Sequence, residues 1–135
     1  MVSLSDQTLR LLVDGMNVIG SRPDGWWRDR DGAVRRLVGR LVRLAAATDE
    51  DVTVVLDGRP LDDLPEGEHQ GVHVAYARRP GRDAADDRLV ELVHDLPDPS
   101  SVRVVTSDRT LSGRVRELGA AVTGAGAFLD GLDGV

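Results

Sequence analysis

The sequence predicts a three-layer α/β domain, with a central and mostly parallel sheet of four to five strands flanked by helices. Short, uniformly apolar runs such as Leu11-Leu12-Val13 and Val54-Val55-Leu56 alternate along the chain with longer segments of helical periodicity. Uniform apolarity, rather than alternation, marks strands buried on both faces, as a parallel sheet covered by helices requires. At 135 residues the chain can build one such core and no second, so residues 1–135 are read as a single domain.

The first strand is expected over Leu9 to Val13, closed by Asp14-Gly15. Residues 20–30, rich in Gly, Pro, Asp and Trp, read as a loop. From about Asp31 the apolar residues Val34, Leu37, Val38, Leu41 and Val42 recur at helical spacing, with Arg35, Arg36, Arg40 and Arg43 on the other side. Val52 to Leu56 is a second strand, closed again by Asp-Gly at Asp57-Gly58. A polar loop from Arg59 to Gln70 precedes a third strand around Val72 to Ala77. Asp83 to Leu96 has a helical pattern. Val102 to Thr106 is a fourth strand, ending at Ser107-Asp108. Arg109 to Leu118 forms a helix stopped by Gly119, and Ala120 to Thr123 suggests a short fifth strand.

Composition removes several chemistries. All 17 basic residues are arginine, a bias that a GC-rich genome explains, so a lysine-bearing phosphate loop, a Schiff base and a lysine general base are excluded. There is no cysteine for a thiolate metal site or a disulfide. A net charge of −6 argues against indiscriminate binding of nucleic acid through a broad basic surface. No apolar run reaches the roughly 20 residues of a membrane helix, and Met1 to Asp6 lacks the features of a signal peptide. The expected location is the cytoplasm, with no membrane partner.

What remains is carboxylate chemistry. Three strands end in an acid, at Asp14, Asp57 and Asp108. In a parallel sheet those ends share one edge, where ligands of open α/β folds bind. Asp83, Asp86 and Asp87 open the helix after the third strand, spaced i, i+3 and i+4 on one helical face, and belong to the same edge. Helix capping could account for Asp83, Asp86 or Asp108 singly, and Asp-Gly is ordinary turn chemistry. Neither explains why four segments deliver carboxylates to one place. Crowded carboxylates repel one another unless a cation neutralises them, and hard oxygen donors suit Mg²⁺ or Mn²⁺. Phosphodiester hydrolysis fits such a site, because it needs neither lysine nor an organic cofactor.

The run Asp14-Gly15-Met16-Asn17-Val18-Ile19-Gly20 resembles the opening of the YacP-like NYN proteins, within the PIN-like nuclease superfamily. The resemblance continues through Val54 to Gly58, His69 to Tyr76, Asp83 to Asp87 and Val104 to Asp108, and covers roughly residues 9–129. It implies a PIN-like (Rossmann-like) fold, metal dependence and endoribonuclease activity on RNA, in some members in the context of translation, which makes the ribosome a possible partner. By position Asp14, Asp57, Asp86 and Asp108 match the family's acidic cluster as catalytic residues. Asp83 matches a further acid, and Asn17 the asparagine that shapes the first loop. Met16 stands where the family often has Tyr, and the chain stops soon after Phe128, without the longer tail of many relatives.

The metal ligands are therefore expected among Asp14, Asp86, Asp108, Asp83 and Asp87, with Asn17 and Ser107 in support. RNA contacts are expected from Arg78, Arg79, Arg82 and Arg109, and from Trp27 by stacking on a base. Solvated loops are the competing reading for the arginines, and a pair pinning the loop is the competing reading for Trp26 and Trp27. His69, His73 and His94 show no metal-ligand spacing. A haloacid-dehalogenase phosphatase would need an acid at Met16, a receiver domain a lysine, and a dinucleotide fold G-x-G-x-x-G after the first strand. A non-catalytic RNA- or ribosome-binding module with the same fold is the alternative function.

Overall fold

A computed structural model describes residues 9–81 and 83–134. The order is β1 (Arg10–Asp14), α1 (Gly15–Gly20), a 3₁₀ turn (Trp26–Arg28), α2 (Arg30–Ala47), β2 (Asp51–Leu56), β3 (Gly67–His69), β4 (Val72–Tyr76), α3 (Ala84–Asp95), a second 3₁₀ turn (Pro99–Ser101), β5 (Val102–Val105), α4 (Arg109–Glu117), β6 (Ala121–Thr123) and α5 (Ala125–Leu132). The six strands form one sheet in the order β3-β4-β2-β1-β5-β6. Every neighbouring pair is parallel except β3 with β4.

Alternate residues of each strand feed two cores. Leu11, Val13, Val52, Val54, Leu56, Val72 and Val74 pack under α1, α2 and α5. Leu12, Val55, Ala75, Val102 and Val104 pack under α3 and α4. Both faces are dry, which is why the strands read as continuous apolar runs rather than alternating ones. The connection leaving β1 runs over one face, and α3, leading into β5, runs over the other. The crevice between the C-terminal ends of β1 and β5 is therefore the point where the winding reverses, the favoured ligand position in open α/β sheets.

Three elements differ from the sequence expectation. The loop from Arg59 to Gln70 contains β3, an antiparallel edge strand, so the sheet has six strands rather than four to five. Gly67-Glu68-His69 carries no apolar signal because an edge strand of this length buries little. It is formed by a tight hairpin, with Gln70 and Gly71 both at positive φ (51° and 89°) between the paired His69 and Val72. Second, α1 begins directly after Asp14. Gly15 permits this, since a Cβ there would lie 2.6 Å from Leu56 Cδ2 and 3.0 Å from the Val55 carbonyl oxygen. Third, α5 closes the first core through Ala125, Leu129 and Leu132.

Candidate active site

Asp14 ends β1 and is the one buried carboxylate among the described residues, 5% exposed. The Thr106 hydroxyl, buried just past the end of β5, donates to its Oδ2 at 2.8 Å. The same Thr106 oxygen accepts the backbone N–H of Asp108 at 3.1 Å. One threonine thus ties the acids of the two central strands together. Asn17, in the first turns of α1, adds a second tie: its Oδ1 accepts the Ser107 N–H at 2.8 Å. Ser107 in turn accepts the Ala125 N–H through its Oγ, at 2.9 Å, anchoring α5 to the same loop. Asp108 is the N-cap of α4, accepting the Leu111 N–H through Oδ1 at 2.9 Å.

The electrostatics show which acids meet. The Asp14 carboxyl is pushed up to about 6, first by burial. The Thr106 hydrogen bond opposes the rise, the Asp108 charge adds to it, the Asn17 backbone amide opposes it and the Asp57 charge adds again. Asp86, on the first turn of α3, is also pushed up to about 6, by burial and then by Asp14, Asp108 and Asp83, with Arg114 opposing. Asp14, Asp86 and Asp108 are therefore mutually repelling neighbours, with Asp57 and Asp83 at the margin. Among the described residues none of those three has an ion-pair partner. Among the described residues no three or more acids, histidines or cysteines stand close enough together to hold a metal ion as placed.

The remaining expected residues lie in different settings. Asp87 does not join the cluster: it is held by Arg79 at 2.6 Å and Arg114 at 3.0 Å, which keep its carboxyl below the usual range. One residue on a helix is about 100° of rotation, so Asp86 and Asp87 face different neighbours although both open α3. Asp83 is exposed. Asp57 is ion-paired with Arg30, the first residue of α2. Arg78 is paired with Glu91 at 2.7 Å, so neither it nor Arg79 is an unengaged cation. Arg109 is exposed at the start of α4, and Arg82 lies outside the described residues. Among the described residues Trp27 is the exposed large apolar side chain, at 57%, while Trp26 packs on the first core. His69, His73 and His94 stand apart from the acids, His69 beside the Pro65 carbonyl and His94 beside Asp95.

Sequence reasoning passed over three residues here. Thr106 carried a signal, a polar side chain at a buried strand end. Arg30 and Arg114 carried none, because their partners lie 27 residues away in each case.

The YacP-like NYN domain family model matches residues 11–135. The chain belongs to this family. It is similar to two crystal structures of Rae1 (YacP) from Bacillus subtilis. With a mutant form the TM-score is 0.77 at 25% identity, covering 93% of this chain and 76% of that chain. With Rae1 (YacP) itself the TM-score is 0.67 at 24% identity, covering 91% and 72%. No curated protein matches. Membership gives the NYN domain a nuclease-like, RNA-related function, and the sheet described above agrees with the fold of the YacP structures. Among the described residues no helix is long and apolar enough to cross a membrane.

Proposed function

We propose that this NYN domain is a divalent-metal-dependent endoribonuclease that hydrolyses RNA phosphodiester bonds at the β1–β5 crevice. The observation that carries the reading is the buried Asp14, tied to Asp108 through Thr106 and charge-coupled to Asp86, with none of the three ion-paired among the described residues. Repulsion of this kind is a cost to the fold that a bound cation offsets. The donors are hard carboxylate oxygens, which fit Mg²⁺ or Mn²⁺. Asp14, Asp86 and Asp108 would hold the ion once their side chains close on it from the arrangement described above. When bound, such an ion supplies positive charge that lowers the pKa of a water and offsets the charge of the phosphate under attack.

The chain's own groups orient this site. Thr106 fixes one oxygen of Asp14, and the α4 cap fixes one oxygen of Asp108. Asn17 holds the Ser107 backbone, so the loop bearing Asp108 is set from α1 as well as from β5. Asp57 adds negative potential at Asp14 and holds Arg30. Asp87 keeps Arg79 and Arg114 beside the acidic helix, where they can exchange a carboxylate for a substrate phosphate.

The test is cleavage of single-stranded RNA by purified protein with Mn²⁺ or Mg²⁺, then with excess EDTA, with calorimetry of metal uptake alongside. Cleavage that needs the metal and disappears in Asp14→Asn is expected. Undiminished cleavage in chelator would remove the metal mechanism. RNA binding with neither metal uptake nor cleavage would favour a non-catalytic RNA- or ribosome-binding module.

A further inference from the structure

Residues 24–30, between α1 and α2, are tied down closely for a segment that reads as a loop. The Trp26 N–H donates to Asp24 Oδ1 at 3.2 Å, and the Arg28 and Asp29 N–H groups donate to the Gly25 and Trp26 carbonyls at 3.0 and 3.1 Å. Asp29 then caps α2, its Oδ1 accepting the Gly32 N–H at 3.0 Å. Gly25 takes φ +83°, which lets the chain reverse into the turn. Trp26 is the anchor: its ring covers Gly20 and packs on the core, and it meets Trp27 edge-on, with centroids 6.0 Å apart at 85°. Trp27 is left projecting from a fixed support.

The turn also has a defined place in the fold. Three residues after Trp27, Arg30 reaches across to Asp57 at the C-terminal end of β2. Its guanidinium lies over Gly58, where a Cβ would come within 3.0 Å of an Arg30 nitrogen. β2 pairs with β1 in parallel, Val55 beside Asp14, so this ion pair just past β2 stands at the same sheet edge as the acidic crevice. The exposed indole and the half-exposed guanidinium are thus borne by one short stretch of chain, three residues apart, whose Arg30 reaches the β2 side of the site.

Building on the nuclease reading above, we infer that Trp27 and Arg30 form a subsite for one unpaired nucleotide of the RNA next to the crevice. Trp27 stacks on the base, and Arg30, aimed by Asp57, meets a phosphate of the same strand. A base inside a duplex has both faces covered and cannot stack on a side chain, so this subsite selects single-stranded substrate. Apart from Trp26, which is taken up by the core, Trp27 is followed by Arg28, Asp29 and Arg30, a charged setting that suits a nucleotide better than an apolar protein partner. Asp57 acts here as a positioning residue for Arg30.

The chain has two tryptophans, so intrinsic fluorescence reads the subsite directly. The full chain in EDTA would be titrated with a 12-nucleotide oligouridylate and with an RNA duplex of equal length. The single strand should quench the fluorescence and the duplex should do so weakly. Trp27→Ala should lose most of the quench and about tenfold in affinity, as the removal of one base–aromatic stack predicts. Trp27→Phe should recover part of the affinity. Arg30→Ala should lower the slope of log affinity against log salt by about 0.7, the value for one phosphate contact on a single strand, and Arg30→Lys should restore it.

Parental affinity in Trp27→Ala, or equal affinity for strand and duplex, overturns the subsite. An oligonucleotide that binds but leaves the Trp27 emission unchanged also overturns it, and would make Trp27 a contact for protein. Because these titrations contain no metal and no turnover, they are independent of the nuclease test. Quenching through Trp27 in a protein that never cleaves RNA would keep the subsite and remove the nuclease.

Discussion

Thr106 donates its hydroxyl to Asp14 at 2.8 Å and accepts the Asp108 amide with the same oxygen at 3.1 Å. A residue 1% exposed therefore joins the two acids at the centre of the site. Replacing it tests whether the acids are set by the fold or only by one another.

Thr106→Val keeps the shape and removes both hydrogen bonds. The buried Asp14 oxygen and the Asp108 N–H lose their partner, which costs about 1–3 kcal/mol of stability. The Asp14 carboxyl should rise further, because the hydroxyl is the largest influence holding it down. Urea denaturation near pH 7 and NMR titration of Asp14 in chelator would read both effects. An unchanged Asp14 titration would mean that burial alone sets it.

The pH dependence of the metal-free protein follows from the raised acids. Asp14 and Asp86 bind protons more tightly folded than unfolded, with folded values of about 6 against 3.8. Between those values the native state carries more protons, so stability falls as pH rises from about 4 to about 6 and is level above. Asp63, Asp87 and Asp133 are shifted down by their arginines, so what they contribute is present above their ordinary range and lost as pH falls below it. Denaturation in EDTA across pH 3.5 to 8 should thus show a maximum near roughly pH 4 to 5. Asp86→Asn should flatten the decline toward pH 6. A stability that rises steadily to neutral pH would contradict the mutual repulsion of these acids.

Asp108 holds two roles that can be separated. Asparagine also caps helices, so Asp108→Asn should keep the hydrogen bond to Leu111 and leave the metal-free protein as stable as the parent, or more so. Asp108→Ala should lose about 1 kcal/mol through the lost cap. Both should reduce RNA cleavage by more than about 100-fold, since even outer partners of metal ligands are worth about 10- to 100-fold. Parallel measurements of stability and cleavage would show it. A destabilised Asn variant that still cleaves RNA would reduce Asp108 to a capping residue.

The placement of Asp14, Asp86 and Asp108 was readable because it depends on chain order and little else. Val13-Asp14 and Thr106-Ser107-Asp108 follow apolar runs too uniform for anything but buried strands, and parallel strands put their ends on one edge. Asp83 through Asp87 open the next helix after a strand of the same sheet, so they come to that edge as well. Gly119, with φ +102°, ended its helix as its position after Leu118 suggested. Strand β3 was hidden because three residues on an edge need no apolar pattern, and α5 because its few apolar residues are separated by glycines.

The sequence by itself determined the layered sheet, the edge at which the acids gather and the lysine and thiolate chemistries that an arginine-only, cysteine-free chain excludes. Buried strands and crossover order are properties of local pattern, and local pattern is carried by neighbouring residues. Only the tertiary structure decided which carboxylate faces which partner. Asp86 is left beside the charges of Asp14 and Asp108 while Asp87, one residue on, is taken by Arg79 and Arg114; Asp57 is claimed by Arg30; and Thr106, 92 positions from Asp14, sets its orientation. Those choices are made by side-chain direction and by distances of a few ångströms between segments far apart in the chain, which no local spacing encodes.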